Sequence, residues 1–359
     1  MDREFQALLA LVRAGLWGRY DEAMASLFPL SAESWERVFA LSRQQTVTGI
    51  AFRGLDYLPD EVAPSMGLAV KWMAYADRIE QSNVAVNETL VKLYRHFAAT
   101  GWKAVLEKGP GVAMMYPEPL LRESGDIDLF FTDNDKEVDP LKGIPGAEMV
   151  DAKPDGSWEY EVNGIIVERH SYLVDVLSPR PKKFVRKLIE DKGFETVNIA
   201  GCDVMVPAPE VNLILLSSHI LKHAIGVGIG LRQLCDMAVA IRYYADRINF
   251  MDMKEIYRQA GLQKWSELLD AFLSEYLGLD ACCDVNAKMA KKTRSLLDII
   301  VKGGNFGHLK SKSELASPNK LSRKLRTLSS FWGNLSFALT YAPGEWLCTM
   351  IQLAGGQTR

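Results

Sequence analysis

Two aspartates separated by one residue are the side chains best able to do chemistry in this sequence. They lie in the run Gly125-Asp126-Ile127-Asp128-Leu129-Phe130-Phe131. In an extended strand alternate side chains share a face, so both carboxylates point one way while Ile127, Leu129 and Phe131 anchor the other. Like charges this close repel unless a cation sits between them. A hard divalent ion with oxygen ligands, Mg²⁺ or Mn²⁺, is the usual solution. Gly125 lets the backbone approach closely. An isolated Asp-x-Asp can equally end a strand at a solvated edge, so the neighbouring residues decide.

Upstream, Leu106-Glu107-Lys108-Gly109-Pro110-Gly111 reads as a strand end followed by a glycine turn, where backbone N–H groups and Lys108 could meet phosphate oxygens. Arg122 precedes the aspartates and could pair with the same anion. Downstream, Gly164-Ile165-Ile166-Val167-Glu168 is a short β-prone run ending on a third carboxylate. Three carboxylates on neighbouring strands could hold two divalent ions about 3.5–4 Å apart, one activating an attacking hydroxyl and one stabilising a leaving phosphate.

Lys108-Gly109, Arg122, Asp126-Ile127-Asp128-Leu129 and Glu168-Arg169-His170, in that order, resemble the nucleotidyltransferases of the DNA polymerase β superfamily. More narrowly, the pattern is similar to an uncharacterised bacterial nucleotidyltransferase family that continues into a helical region, matched here by His219, His223, Leu231-Arg232 and Asp236. The resemblance spans about 106–240. It implies that Asp126, Asp128 and Glu168 are catalytic and bind metal, and that Lys108 and Gly109 lie by the triphosphate. Where the wider superfamily has Gly-Ser or Gly-Gly in its phosphate loop, this chain has Gly109-Pro110, and proline has no backbone N–H to donate.

Further polar residues form a candidate substrate cleft: His170, His219, Lys222, His223, Arg232 and Asp236. His219 and His223 stand at the i, i+4 spacing of two metal ligands on a helix, but no H-E-x-x-H glutamate accompanies them and Asp236 is the only third ligand in view. Helix-surface or cleft-lining roles therefore outrank zinc. Arg232 and Asp236, also i, i+4, read most simply as a helix ion pair. The Gly226-Val227-Gly228-Ile229-Gly230 segment follows a helix rather than a strand and reads as a connection, not a phosphate cradle.

The elements that must position these groups fall into four stretches. Residues 1–100 show apolar spacings of three and four, as in Val86, Leu90, Leu93 and Phe97, and predict an N-terminal helical module. Residues 101–206 carry short β-prone runs at Lys103–Leu106, Asp126–Phe131, Trp158–Val162, Ile165–Glu168 and Val204–Val206, with one helix over Pro181–Glu190. That texture predicts a small α+β domain on a mixed sheet rather than a doubly wound parallel one. From Pro207 to 301 a second helical module is expected, opening with Val211–Ala224 and Leu231–Arg247. Residues 302–359 form a basic then aromatic tail, read as capping the helical module or, less simply, as a peripheral membrane or partner-binding segment.

At 359 residues the chain has room for two or three folded units. A net charge of -3 supplies no general attraction to nucleic acid, so a small-molecule or protein acceptor is favoured. Five scattered cysteines without C-x-x-C spacing suggest neither a disulfide framework nor a zinc site. The start, Met1-Asp2-Arg3-Glu4, lacks a signal-peptide pattern, and the longest apolar run, 211–230, carries His219, Lys222 and His223. A cytoplasmic protein with no transmembrane segment is expected.

These readings converge on a metal-dependent transfer of a nucleoside monophosphate from a nucleoside triphosphate to an acceptor hydroxyl. Two alternatives stay open. One is a non-catalytic module that uses the same scaffold for binding; the other is an Asp-x-Asp glycosyltransferase holding a nucleotide sugar through Mn²⁺.

Overall fold

The computed structural model describes residues 2–132, 139–153, 156–174, 176–226, 228–280, 287–303 and 334–354. The basic run from Lys310 to Arg326, the aromatics Phe331 and Trp332, Cys282, Cys283 and Val227 lie outside the described residues.

A seven-stranded mixed sheet stands at the centre, in the order β3-β4-β5-β2-β1-β7-β6. Its strands are β1 (Ala104–Leu106), β2 (Asp126–Phe131), β3 (Ala147–Ala152), β4 (Trp158–Val162), β5 (Ile165–His170), β6 (Phe194–Ile199) and β7 (Cys202–Pro207). β2 sits in the middle, antiparallel to β1 and parallel to β5. The five expected strands are present and the sheet is mixed, as the composition of 101–206 predicted. β3 and β6 were not foreseen. They take their extended form from pairing with β4 and β7.

Helices α1 (Arg3–Trp17), α2 (Ala32–Gln44), α3 (Thr48–Leu55) and α4 (Met66–Thr100) precede the sheet. Ser31 caps α2, its hydroxyl accepting from Ser34 N–H. α4 has 35 residues and so runs about 52 Å. Leu68 and Trp72 near its start join a helical core, whereas Val86, Leu90, Leu93 and Phe97 pack on the sheet against Leu106, Ile127, Leu129 and Phe131. One face of β2 is thereby sealed by α4, which leaves Asp126, Asp128 and Phe130 on the opposite face.

Within the sheet region lie the short α5 (Pro110–Ala113) and α6 (Pro179–Lys192); α7 (Pro209–Ile225), α8 (Leu231–Tyr244), α9 (Phe250–Gln259), α10 (Gln263–Leu277), α11 (Ala287–Ala290), α12 (Thr293–Gly303), α13 (Leu335–Tyr341) and α14 (Pro343–Ala354) follow it. Helices from both ends of the chain share one core. Trp17 donates its indole N–H to the Leu277 carbonyl at 2.6 Å. Gln45, almost fully buried, accepts from Leu231 N–H and donates to the Ile300 carbonyl. Among the described residues no helix is long and apolar enough to cross a membrane.

Candidate active site

The register of β2 and β5 sets the chemistry. Asp126 lies beside Ile166, Asp128 beside Glu168 and Phe130 beside His170. In parallel strands such neighbours share a face, so Asp126, Asp128, Glu168 and His170 all project on the side away from α4. Ligand atoms of Asp128, Glu168 and His170 lie within 4.8 Å of one another. β1 ends alongside, where Glu107 N–H donates to the Asp128 carbonyl at 3.0 Å. Lys108 and Gly109 follow directly. Gly109 has φ 54°, and a Cβ there would lie 3.2 Å from the Asp126 carbonyl oxygen, so glycine lets this turn press against β2. Pro110 then begins α5 at the helix position where a missing N–H is tolerated.

Three cations neutralise the acidic cluster. Lys108 Nζ is 3.4 Å from Asp128 Oδ2, and His170 Nε2 is 2.7 Å from Asp128 Oδ1. Lys153, from the β3–β4 turn, pairs with Glu168 and, at 3.6 Å, with Glu159. Burial by itself would raise the Asp128 carboxyl, but Lys108 and the hydrogen bond from His170 outweigh it and hold Asp128 well below the usual carboxylate range. The reverse holds for His170. Burial disfavours its charged form, yet Glu107 and Asp128 push its pKa up to about 9. Asp126 is exposed at the strand start, and the Asp128 charge beside it holds its carboxyl above the ordinary value.

α7 brings further expected residues to this face. His219 and His223 have ring centroids 4.5 Å apart. Burial, with Lys108, His223, Lys222 and His170 around it, holds His219 well below the ordinary histidine value. His219 thus stands neutral beside the charged Lys108 and His170, whereas Lys222, also expected in the cleft, lines a hollow with Glu345 and Thr349.

Arg122 and Asp236 take a different place from the one expected. Their guanidinium and carboxylate form a buried fork, Nε to Oδ1 at 3.0 Å and Nη2 to Oδ2 at 2.7 Å, with each side chain at most 5% exposed. Tyr116 donates its hydroxyl to Asp236 Oδ1 at 2.8 Å. Asn83 of α4 holds the same loop, donating to the carbonyls of Leu120 and Arg122. Arg122 is therefore committed to fixing the segment that leads into β2 rather than turned to outer phosphates. The expected Arg232–Asp236 helix pair gives way to this fork, because a buried carboxylate is better served by two parallel N–H donors. Arg232 instead donates to the Glu123 carbonyl at 2.7 Å, and Asp126 is among the acidic groups it feels. Gly49 in α3 lies so close that a Cβ would fall 2.3 Å from the Leu121 carbonyl oxygen, letting α3 abut the same segment.

Sequence reasoning missed Lys153 and Glu107. Lys153 sits in a turn between two strands of which one was unforeseen; Glu107 stood in the quoted run, and only the strand end shows that it faces His170.

Comparison with known proteins decides the family. The sequence profile of a family described as uncharacterised nucleotidyltransferases matches residues 31–278, more than half of the chain. The chain belongs to this nucleotidyltransferase family. The match takes in the sheet and most of the helices on either side, well beyond the 106–240 stretch whose motifs resembled such enzymes. A solved structure of an antigenic nucleotidyltransferase-like protein from Paracoccidioides brasiliensis aligns with 55% of this chain and 94% of its own, at 17% identity and a TM-score of 0.33. None of the curated proteins matches the chain.

Proposed function

We propose that the protein transfers a nucleoside monophosphate from a nucleoside triphosphate to an acceptor hydroxyl, with a divalent metal ion at the β2–β5 face. The observation that supports this most is the register that puts Asp128 beside Glu168, with Asp126 one step earlier on the same face. The donor set fits a hard cation: carboxylate oxygens dominate it, and the Asp128 charge disfavours ionisation of Asp126 until a further cation joins them. Asp126, Asp128 and Glu168 would hold Mg²⁺ or Mn²⁺, with His170 orienting Asp128. Such an ion, when bound, lowers the barrier by withdrawing charge from the phosphate oxygens and favouring the acceptor's alkoxide.

The chain's own residues supply the rest. Lys108 and Gly109, next to Asp126, steady the outer phosphates, with Arg232 adding positive potential. The acceptor oxygen bonds to the α-phosphorus, the bond from that phosphorus to the bridging oxygen breaks, pyrophosphate leaves and the hydroxyl proton passes to water. Lys153 must leave Glu168 before that carboxylate can act.

One observation favours a second reading, a binding module without turnover. Lys108, His170 and Lys153 already balance the carboxylates, and Pro110 removes an N–H from the phosphate turn. Thermal unfolding with each nucleoside triphosphate, with and without Mg²⁺ or Mn²⁺, separates the two. Ligand at about a hundred times its Kd stabilises by about 2.7 kcal/mol. A metal-dependent shift lost in Asp126→Asn and in Asp128→Asn is expected; Asp126 is exposed, so its variant keeps the fold. Nucleotide binding indifferent to metal and to both substitutions would move the assignment to the binding module.

A further inference from the structure

The phosphate-facing groups lie at one end of β2 and an unassigned cavity lies at the other. Lys108 and Gly109 stand by Asp126, at the strand start. Four residues on, about 13 Å at strand rise, Phe130 forms the inner end of a cavity of about 510 Å³ between the sheet and α6. Ser171, directly after His170, lines it too. Asp128 and Glu168 are midway between the two ends.

An in-line displacement needs the leaving and entering oxygens on opposite sides of the phosphorus. If pyrophosphate leaves on the Lys108 side, the acceptor hydroxyl enters from the Phe130 side. We infer that this cavity holds the body of the acceptor, and that the acceptor is a small hydroxy acid with an apolar body; this rests on the nucleotidyl-transfer reading above.

Size, lining and charge each support it. The volume falls in the range of small-molecule sites, roughly 300–1,000 Å³. Its walls are apolar, from Val174, Val185, Ile189 and Phe194, which suits neither a phosphate chain nor a nucleic-acid strand. Ahead of its last turn α6 carries five basic residues, Arg180, Lys182, Lys183, Arg186 and Lys187, against two acidic ones in that turn, Glu190 and Asp191. Two cations, Lys182 and Arg186, and one carboxylate, Glu190, line the cavity, so its charge is net positive; Lys182 Nζ lies 3.9 Å from the Tyr172 ring centroid, and Arg186 forms no ion pair among the described residues. An exposed guanidinium over an apolar hollow matches a carboxylate at the far end of an apolar body.

The test uses the full chain without nucleotide or metal. Medium-chain ω-hydroxy fatty acids and hydroxyphenylalkanoic acids are titrated calorimetrically, with the corresponding diols as uncharged controls. At least one hydroxy acid is expected to bind, and Arg186→Glu, on the exposed rim, to weaken it roughly tenfold while leaving the diol unaffected. Ile189→Trp, which fills the cavity, is expected to weaken both. Metal-dependent nucleotide binding stays as in the wild type in both variants. Absence of binding by every acid, or binding unchanged in both variants, overturns the inference even where nucleotide binding persists. Hydroxy-acid binding without any metal-dependent nucleotide binding sinks instead the transfer reading, and with it the acceptor role of the cavity.

Discussion

His170 shows how the site is balanced at the level of single side chains. Its folded pKa of about 9 lies above the ordinary 6.5, so folding favours its protonated form. The stabilisation is complete below about pH 6.5 and is lost as pH rises through about 9; it is on the order of 3 kcal/mol. In chelator-treated protein, His170→Gln should therefore lower the unfolding free energy markedly at pH 6 and hardly at pH 10, as measured by urea denaturation. An equal loss at both values would mean that His170 is not charged in the fold. Asp126 and Asp128 could be placed on one face from their spacing alone, since strand alternation is local. Glu168, forty residues away, was legible as a carboxylate ending a β-prone run, and Lys108 and His170 as candidates, but the register that sets Glu168 beside Asp128 and the turn that brings Lys153 to it are written in no spacing.

At the scale of elements, the site depends on how the segment before β2 is held. Asp236 of α8 grips Arg122, and Asn83 of α4 grips the same backbone, so two helices far apart in sequence aim the strand that carries the aspartates. Removing one member of a buried pair leaves the other charge uncompensated, at about 3–5 kcal/mol. Asp236→Ala should cost that much in urea unfolding and also weaken metal-dependent nucleotide binding. Replacing both partners, Arg122→Met with Asp236→Leu, should recover much of the stability. A double variant no more stable than Asp236→Ala would show that the fork matters for more than its charge. This pair was illegible in the sequence because its members are 114 residues apart, and the nearer Arg232 supplied a false partner. β3 was hidden for a related reason: Ala147–Ala152 is mostly exposed and broken by Glu148 and Asp151, and only its ladder with β4 makes it a strand. The helices were easier, since apolar spacing and caps such as Ser31 are written within each one.

Across the whole molecule, the chain's last described helices connect the helical core to the cavity wall. Phe337 and Tyr341 of α13 are buried, Phe337 with its ring centroid 6.1 Å from that of Trp265 in α10. Asn334 donates to the Ala224 carbonyl at the end of α7. Glu345 of α14 accepts from Leu177 and Ser178 N–H, at 2.7 and 2.9 Å, and so holds the residues that lead into α6, the helix that walls the cavity, with its negative charge at the helix start. The sequence showed the aromatic residues of this stretch but not what they pack against, because Trp265 belongs to another helix far upstream. Of its two readings, capping of the helical module describes Phe337 and Tyr341. Truncating a buried phenylalanine costs about 3–5 kcal/mol. If α13 is part of one cooperative core, Phe337→Ala should lower the urea midpoint of a single transition reported alike by tryptophan fluorescence and far-UV circular dichroism. An early separate transition, with the main midpoint unmoved, would instead make α13 and α14 an appendage that docks on a core already complete. Glu345→Ala should then be compared with it. Loss of a hydrogen bond to a charged acceptor costs about 1.5–3 kcal/mol, and because the loss falls at the start of α6, hydroxy-acid binding should weaken in that variant while metal-dependent nucleotide binding stays unchanged.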